Sequence, residues 1–302
     1  PTPVSALIHA ATMVAAGVFL VARTLPIFEQ SQQALTTVAV IGGFTAIFAA
    51  TMGLVMNDIK RVIAYSTISQ LGYMMLGLGT GGVGIGIIHL FNHAFFKALL
   101  FLGAGAVLHA TGSREMSQLG GLLKSMPKTG SVFLMGAAAI SGLPFFNGFI
   151  SEFLIYSGSF QGALTGGNNV AVPVICAIVG LALMGGLALA CFSKAFGVIF
   201  LGEPRTGKTA NDEPPAMWMP MALLAGICAL IGVFPVALLS FLAPVVQQIS
   251  GLPAGVVGKE FNNVEQPLSM ITSSAFLFLI LVGVFAFIRA VCLRGREIGE
   301  TV

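Results

Sequence analysis

Charge is what this chain has least of. Only 8% of its 302 residues are Asp, Glu, Lys or Arg and 56% are hydrophobic, at a mean hydropathy of +0.96, whereas an ordinary soluble domain carries about 25% charged residues. That shortage excludes a surface built for water and points to lipid as the solvent. The net charge is +3, and no basic patch is interleaved with aromatics, which excludes nucleic acid as a partner. Cysteine is scarce and scattered: Cys176, Cys191, Cys228 and Cys292 form no CxxC pair, so iron–sulfur and structural zinc sites are excluded and the four read as small hydrophobes. No charged stretch precedes the first apolar helix, so that helix is not expected to be a secretory signal peptide. Thr2 as a cap and Pro3 in the first turn look like an ordinary helix start, and the chain is expected to begin partway through a longer polytopic protein.

What the chain does have is long apolar runs. Taking about 17–25 residues as a membrane span, eight segments qualify: 3–22, 36–56, 62–79, 83–109, 131–164 (interrupted), 170–201, 217–243 and 268–290. The expected fold is an all-α polytopic transmembrane bundle with one broken helix around 141–148. Glycine pairs such as Gly42-Gly43 and Gly185-Gly186 suit close helix approach. Lys60, Arg61, Arg114, Lys124, Lys128, Arg205, Lys208, Arg289, Arg294 and Arg296 follow the even-numbered spans, while the alternate loops hold only Arg23 and Lys259. Ten cations against two predict that the basic loops face the cytoplasm or its equivalent compartment.

Two cations fall inside spans. Lys97 shares "GIGIIHLFNHAFFKALLFLGAGAVL" with His89 and His93, at i, i+4 and i+8, so all three lie on one helical face. An isolated charge at mid-membrane costs about 2.5–3.5 kcal/mol even on a permissive insertion scale, so such groups face protein or water and are functional candidates. Lysine and histidine can both exchange protons once desolvated, and eight residues span about 12 Å. The spacing therefore reads as a ladder of proton sites. A metal on His89 and His93 is disfavoured because no Glu follows His89 and Lys97 would repel a cation.

Residues 141–148, "SGLPFFNG", interrupt the fifth span with Gly142, Pro144 and Gly148. Broken membrane helices are tolerated where protein or water satisfies the backbone, and they mark ion pathways in transporters. Glu152 follows near the new helix start. There the dipole favours the charged carboxylate and burial the neutral acid, so the group is suited to proton exchange; the plainer reading is a kinked helix with a snorkelling carboxylate. In the third span Ser66, Ser69, Gln70 and Tyr73 make a polar stripe at i, i+3, i+4 and i+7, which is either helix–helix hydrogen bonding or the lining of a proton wire. His9 is a relay candidate or a packed donor. Lys194 lies near a cytoplasmic end, where it can snorkel.

Two nucleotide motifs fail on context. Residues 202–209, "GEPRTGKT", match a phosphate loop, with Lys208 and Thr209 in the functional slots, but an apolar helix precedes them where the motif needs a strand. Gly79, Gly81 and Gly84 match GxGxxG, again with no strand before them and no acidic ribose partner after. No nucleotide partner is expected.

The blocks "PTPVSALIHAATMVAAGVFLVAR" (1–23), "NDIKRVIAYSTISQLGYM" (57–74), "HLFNHAFFKALLFLGAGAVLHATG" (89–112), "GGLLKSMP" (120–127) and "LPFFNGFISEFLIYSG" (143–158) resemble the antiporter-like membrane subunits of the respiratory complex I superfamily. That group comprises chains L, M and N of NADH:quinone oxidoreductase, the large subunits of sodium/proton antiporters, and the antiporter-like subunit of hydrogenase-4. The resemblance implies two inverted five-helix repeats, each with a broken helix, and a central row of titratable side chains. By that resemblance Lys97 matches the central lysine with His89 and His93 beside it, His9 a connecting position, and Glu152 the exit-side residue. That last site is lysine in chain L, so Glu152, with "NGFISEFLIYSG" and "CFSKAFGVIFLGEPRT", leans the resemblance toward hydrogenase-4.

The resemblance implies that residues 1–202 form the second half-channel of a proton-translocating module and 203–302 two C-terminal spans. It implies a subunit of a redox-driven assembly in a prokaryotic plasma membrane, with no cofactor in this chain, redox cofactors in partner subunits, and protons or sodium as cargo. The alternatives are the large subunit of a sodium/proton antiporter and a non-transporting membrane scaffold.

Overall fold

The computed structural model describes residues 2–80, 82–165, 168–205, 210–212 and 214–292. Thirteen α-helices occur among them: α1 (Thr2–Ala10), α2 (Ala16–Arg23), α3 (Leu25–Phe28), α4 (Gln32–Val55), α5 (Ile59–Gly79), α6 (Val83–Thr111), α7 (Leu122–Ser125), α8 (Pro127–Ile140), α9 (Asn147–Thr165), α10 (Asn168–Phe200), α11 (Pro215–Val233), α12 (Pro235–Ser250) and α13 (Ala254–Cys292). The chain is an all-α polytopic membrane protein. Lys208, Thr209, Gly81, Arg294 and Arg296 lie outside the described residues.

Where eight spans are expected, five described helices are long and apolar enough to cross a membrane: α4, α6, residues 178–200 of α10, α11 and α13. Three of the eight, the first, third and fifth, account for the difference. The first expected span is divided at residues 11–15 into α1 and α2, and the fifth at 141–146 into α8 and α9. The seventh is also divided, at Phe234, into α11 and the 16-residue α12, but α11 alone is long enough to count, so the number is unchanged. The polar stripe keeps α5 out of the set. One break is thus where the glycines and proline predict it, while the breaks at 11–15 and at Phe234 are corrections, since one broken helix is expected and three spans are divided.

α6 is the centre of the bundle: 67% of its most apolar window is buried, against at most 28% in the other four. α4 and α5 pack so closely that a Cβ at Gly42 would stand 2.7 Å from the Leu76 amide nitrogen, and Ser69 Oγ donates to the Ala46 carbonyl across the seam at 2.8 Å.

The basic loops are laced together on one face. Asp58 caps α5 by accepting from the amides of Lys60 (2.8 Å) and Arg61 (3.2 Å), and it meets Arg114 at 3.5 Å. The Arg205 guanidinium donates to the Met116 carbonyl at 3.2 Å. Asp212, from the loop before α11, accepts from the amides of Lys128 (3.0 Å) and Thr129 (3.1 Å) at the start of α8, where free N–H groups and the positive dipole end favour a carboxylate. The opposite face is closed by Arg23, whose guanidinium donates to the last carbonyls of α12 at Gln248 (2.6 Å) and Ile249 (3.2 Å).

Candidate functional site

α6 carries Lys97, His93 and His89 into the core, where each is 1% exposed or less. The Lys97 ammonium donates to Ser66 Oγ at 2.6 Å and to the Ile63 carbonyl at 3.2 Å, so both recorded partners are neutral oxygens of α5. A buried ammonium held only by neutral groups can release its proton without stranding a counter-charge. Ser66 is therefore brought to the site, as the stripe on α5 predicts.

His89 joins three helices. Its Nε2 lies 2.6 Å from Gln70 Oε1 on α5 and its Nδ1 2.8 Å from Ser151 Oγ on α9. The Tyr73 ring stacks on it with centroids 5.3 Å apart. His93 turns the other way: its Nδ1 donates to the Ala10 carbonyl at 2.9 Å, the last carbonyl of α1 before the break at 11–15. A carbonyl only accepts, so the ring hydrogen sits on Nδ1, and Nε2 is a buried lone pair with no partner among the described residues. The two histidines thus commit their nitrogens to divergent partners.

His9 stacks on Phe101 at 4.8 Å and, like His89 and His93, lies within range of the Lys97 charge. Glu152 projects into the break between α8 and α9. Its carboxylate fills the space where a side chain at Gly142 would stand, and Gly142 has φ +63. Only glycine meets both demands cheaply. Tyr73 and Tyr156 both feel the Glu152 charge.

Two of the sequence candidates sit elsewhere. Ser69 bonds α4, as above. Lys194 is half-buried and donates to the carbonyls of Leu54 (2.8 Å) and Met56 (3.1 Å), which closes the C-terminal end of α4, where cations are favoured. Between α5 and α10 a cavity of about 20 Å³, lined in part by Ser66, Ser69, Gln70 and Cys191, has room for one water. It links the Lys97 acceptor to the His89 acceptor.

Sequence reasoning missed three residues. Ser151 is fully buried against His89. Asn92 and Asn147 clamp α9 onto α6 reciprocally, each side-chain amide donating to the other's backbone carbonyl at 2.9 and 3.0 Å. The available signal was a polar residue inside an apolar segment, between the two histidines in one case and next to Glu152 in another.

The family model described as NADH:quinone oxidoreductase/Mrp antiporter, transmembrane, matches residues 1–186. The chain belongs to this family. It is 47% identical over 235 residues to F(420)H(2) dehydrogenase subunit L of Methanosarcina mazei, covering 74% of this chain and 34% of that protein. It is 44% identical over 268 residues to NADH-quinone oxidoreductase subunit L of Rhodobacter capsulatus, covering 86% and 37%. Among solved structures, the Mrp complex from Dietzia sp. shares the fold at TM-score 0.69 and 20% identity, over 90% of this chain and 55% of that one. The chain therefore spans about a third of the length of the curated relatives it matches. Both of these relatives are L subunits, so the similarity found lies with that type rather than with the hydrogenase-4 toward which the sequence leans.

Proposed function

We propose that this chain translocates protons across a membrane as part of a complex I-type assembly. In this reading residues 1–202 are the second half-channel and 203–302 the following helices. The observation that carries it is Lys97, fully buried and bonded to neutral oxygens of α5, one of which, Ser66, lines the same small cavity as Gln70, whose partner His89 bonds α9 beside Glu152. A change of charge relayed from neighbouring subunits alters how tightly Lys97 holds its proton. The proton then passes along the α5 stripe and the histidines toward Glu152, with His9 and His93 on a branch to the break in the first span.

Electron transfer and its cofactors belong to partner subunits in this proposal, and other membrane subunits are the partners of this chain. Membership of the family and the L-type relatives support that assignment. The location in this reading is a prokaryotic plasma membrane, and the ten-to-two cation count supports placing the basic loops on its cytoplasmic side. Sodium/proton exchange is the second reading, favoured by the family description, which spans both groups; sodium-dependent transport would select it.

Lys97→Met is the deciding variant, because it removes the titrating group at low burial cost. Proton pumping is expected to vanish in complexes that still assemble. Lys97→Arg should not restore it, since a guanidinium with a pKa above about 12 does not cycle. Near-normal pumping by Lys97→Met would overturn the assignment.

A further inference from the structure

Ser151 is fully buried one residue before Glu152, and its single hydroxyl hydrogen has three acceptors to choose among. Oγ lies 2.8 Å from His89 Nδ1, 3.2 Å from the Gly148 carbonyl and 3.3 Å from the Asn147 carbonyl. Which one it serves follows from the state of His89. Gln70 Oε1 is an acceptor, so the ring hydrogen of neutral His89 sits on Nε2 and Nδ1 presents a lone pair. The Ser151 hydroxyl then donates to Nδ1. When His89 takes a second proton, Nδ1 becomes a donor toward Oγ, and the hydroxyl hydrogen must turn to the Gly148 or Asn147 carbonyl. The turn breaks no covalent bond and moves no heavy atom.

We propose that Ser151 is a hydrogen-bond switch that transmits the charge state of His89 to the first turn of α9, beside Glu152. The transmission is local. In a helix the Gly148 carbonyl accepts from the amide of Glu152, and a serine hydroxyl bonding back to that carbonyl competes with the helix bond and bends the turn. Charging His89 thus loosens the backbone that aims the Glu152 carboxylate into the space at Gly142. Ser151 acts through these two groups and is a positioning residue.

The surroundings isolate the event. The groups that contact or act on His89 are Gln70 and Tyr73 on α5, His93 and Lys97 on α6, and Ser151 on α9; Glu152 and Tyr156 act on Tyr73 behind it, and His9 on His93. Of these, only Ser151 bonds His89 directly and also lies on the broken helix.

This inference rests on the proton-translocation reading, so its test runs beside the variants that test that reading. Inside-out vesicles holding the whole complex are assayed for proton uptake per electron transferred, with Ser151→Ala, Ser151→Cys and Ser151→Thr beside Lys97→Met and Glu152→Gln. Ser151→Ala is expected to lower pumping about tenfold, the loss of one hydrogen bond to a group that becomes charged. Ser151→Thr, which keeps the hydroxyl, should retain most of it. Ser151→Cys has nearly the serine volume and a weak donor, so it should resemble the alanine variant, and it decides the matter should Ser151→Ala not assemble. A pH-induced infrared difference spectrum of histidine-labelled membranes supplies the second readout. Ser151→Ala should change the tautomer signature of one histidine in the difference spectrum and Ser151→Thr should not. Wild-type pumping in both Ser151→Ala and Ser151→Cys while Lys97→Met is inactive overturns the switch and leaves the broader reading intact. Normal pumping in Lys97→Met overturns both.

Discussion

Glu152 and Gly142 work as one unit at the level of single residues. The carboxylate occupies the volume that a side chain at 142 would need, and the backbone there is left-handed. Gly142→Ala therefore meets two penalties: about 1–2 kcal/mol for the left-handed conformation, and displacement of the carboxylate. We expect this variant to lower proton pumping more than it lowers the amount of assembled complex, as read by a native gel beside the vesicle assay. Glu152→Gln should impair pumping and Glu152→Asp retain part of it, because only the latter still titrates. Equal pumping by the two would make the carboxylate a packing group. The neighbouring Phe145 is also left-handed, at φ +72, and its ring stacks on Phe278 of α13 with centroids 5.0 Å apart, so the break is held from both sides.

Among elements, the broken helices are tied to α6 by side-chain bonds to backbone groups. Asn92 and Asn147 exchange amide hydrogens across α6 and α9, and His93 serves the free carbonyl at the end of α1. The two asparagine bonds share one geometry, so their losses should not add. Asn92→Leu, Asn147→Leu and the double variant are expected to weaken the complex to similar extents, with a coupling of about 1 kcal/mol in a double-mutant cycle on thermal dissociation. Strict additivity would show that the bonds act independently. Lys194 serves α4 in the same manner. Lys194→Met should cost about 1–2 kcal/mol of stability through two lost bonds to carbonyls and leave protons pumped per electron unchanged; a changed ratio would return Lys194 to the relay.

Across the whole molecule, residues 57–61, 113–130, 201–205 and 210–212 are bonded to one another on one face, with Arg23 and the end of α12 on the other. Cysteine placed at Lys128 should react with a membrane-impermeant thiol reagent from the cytoplasmic side only, and cysteine at Gln32 from the opposite side only. The reverse labelling would invert the orientation taken from the cation count.

The apolar length of α6, the single face bearing His89, His93 and Lys97, and the break at 141–146 were legible in the sequence, because helical period and the chemistry of glycine and proline are local. The break at 11–15 was not: Ala11–Ala15 contains neither glycine nor proline, and the group that satisfies its freed carbonyl, His93, stands 83 positions away. The roles within the polar stripe were equally hidden. Ser66 and Gln70 face α6 while Ser69, between them, bonds α4. Periodicity marks a stripe as polar, but the choice of partner depends on which helices flank it. The pairing of Ser151 with His89, the capping role of Lys194 and the seat of Glu152 beneath Gly142 belong to tertiary structure for the same reason. Each joins groups on different helices, and only the packing of those helices brings donor and acceptor within hydrogen-bond reach.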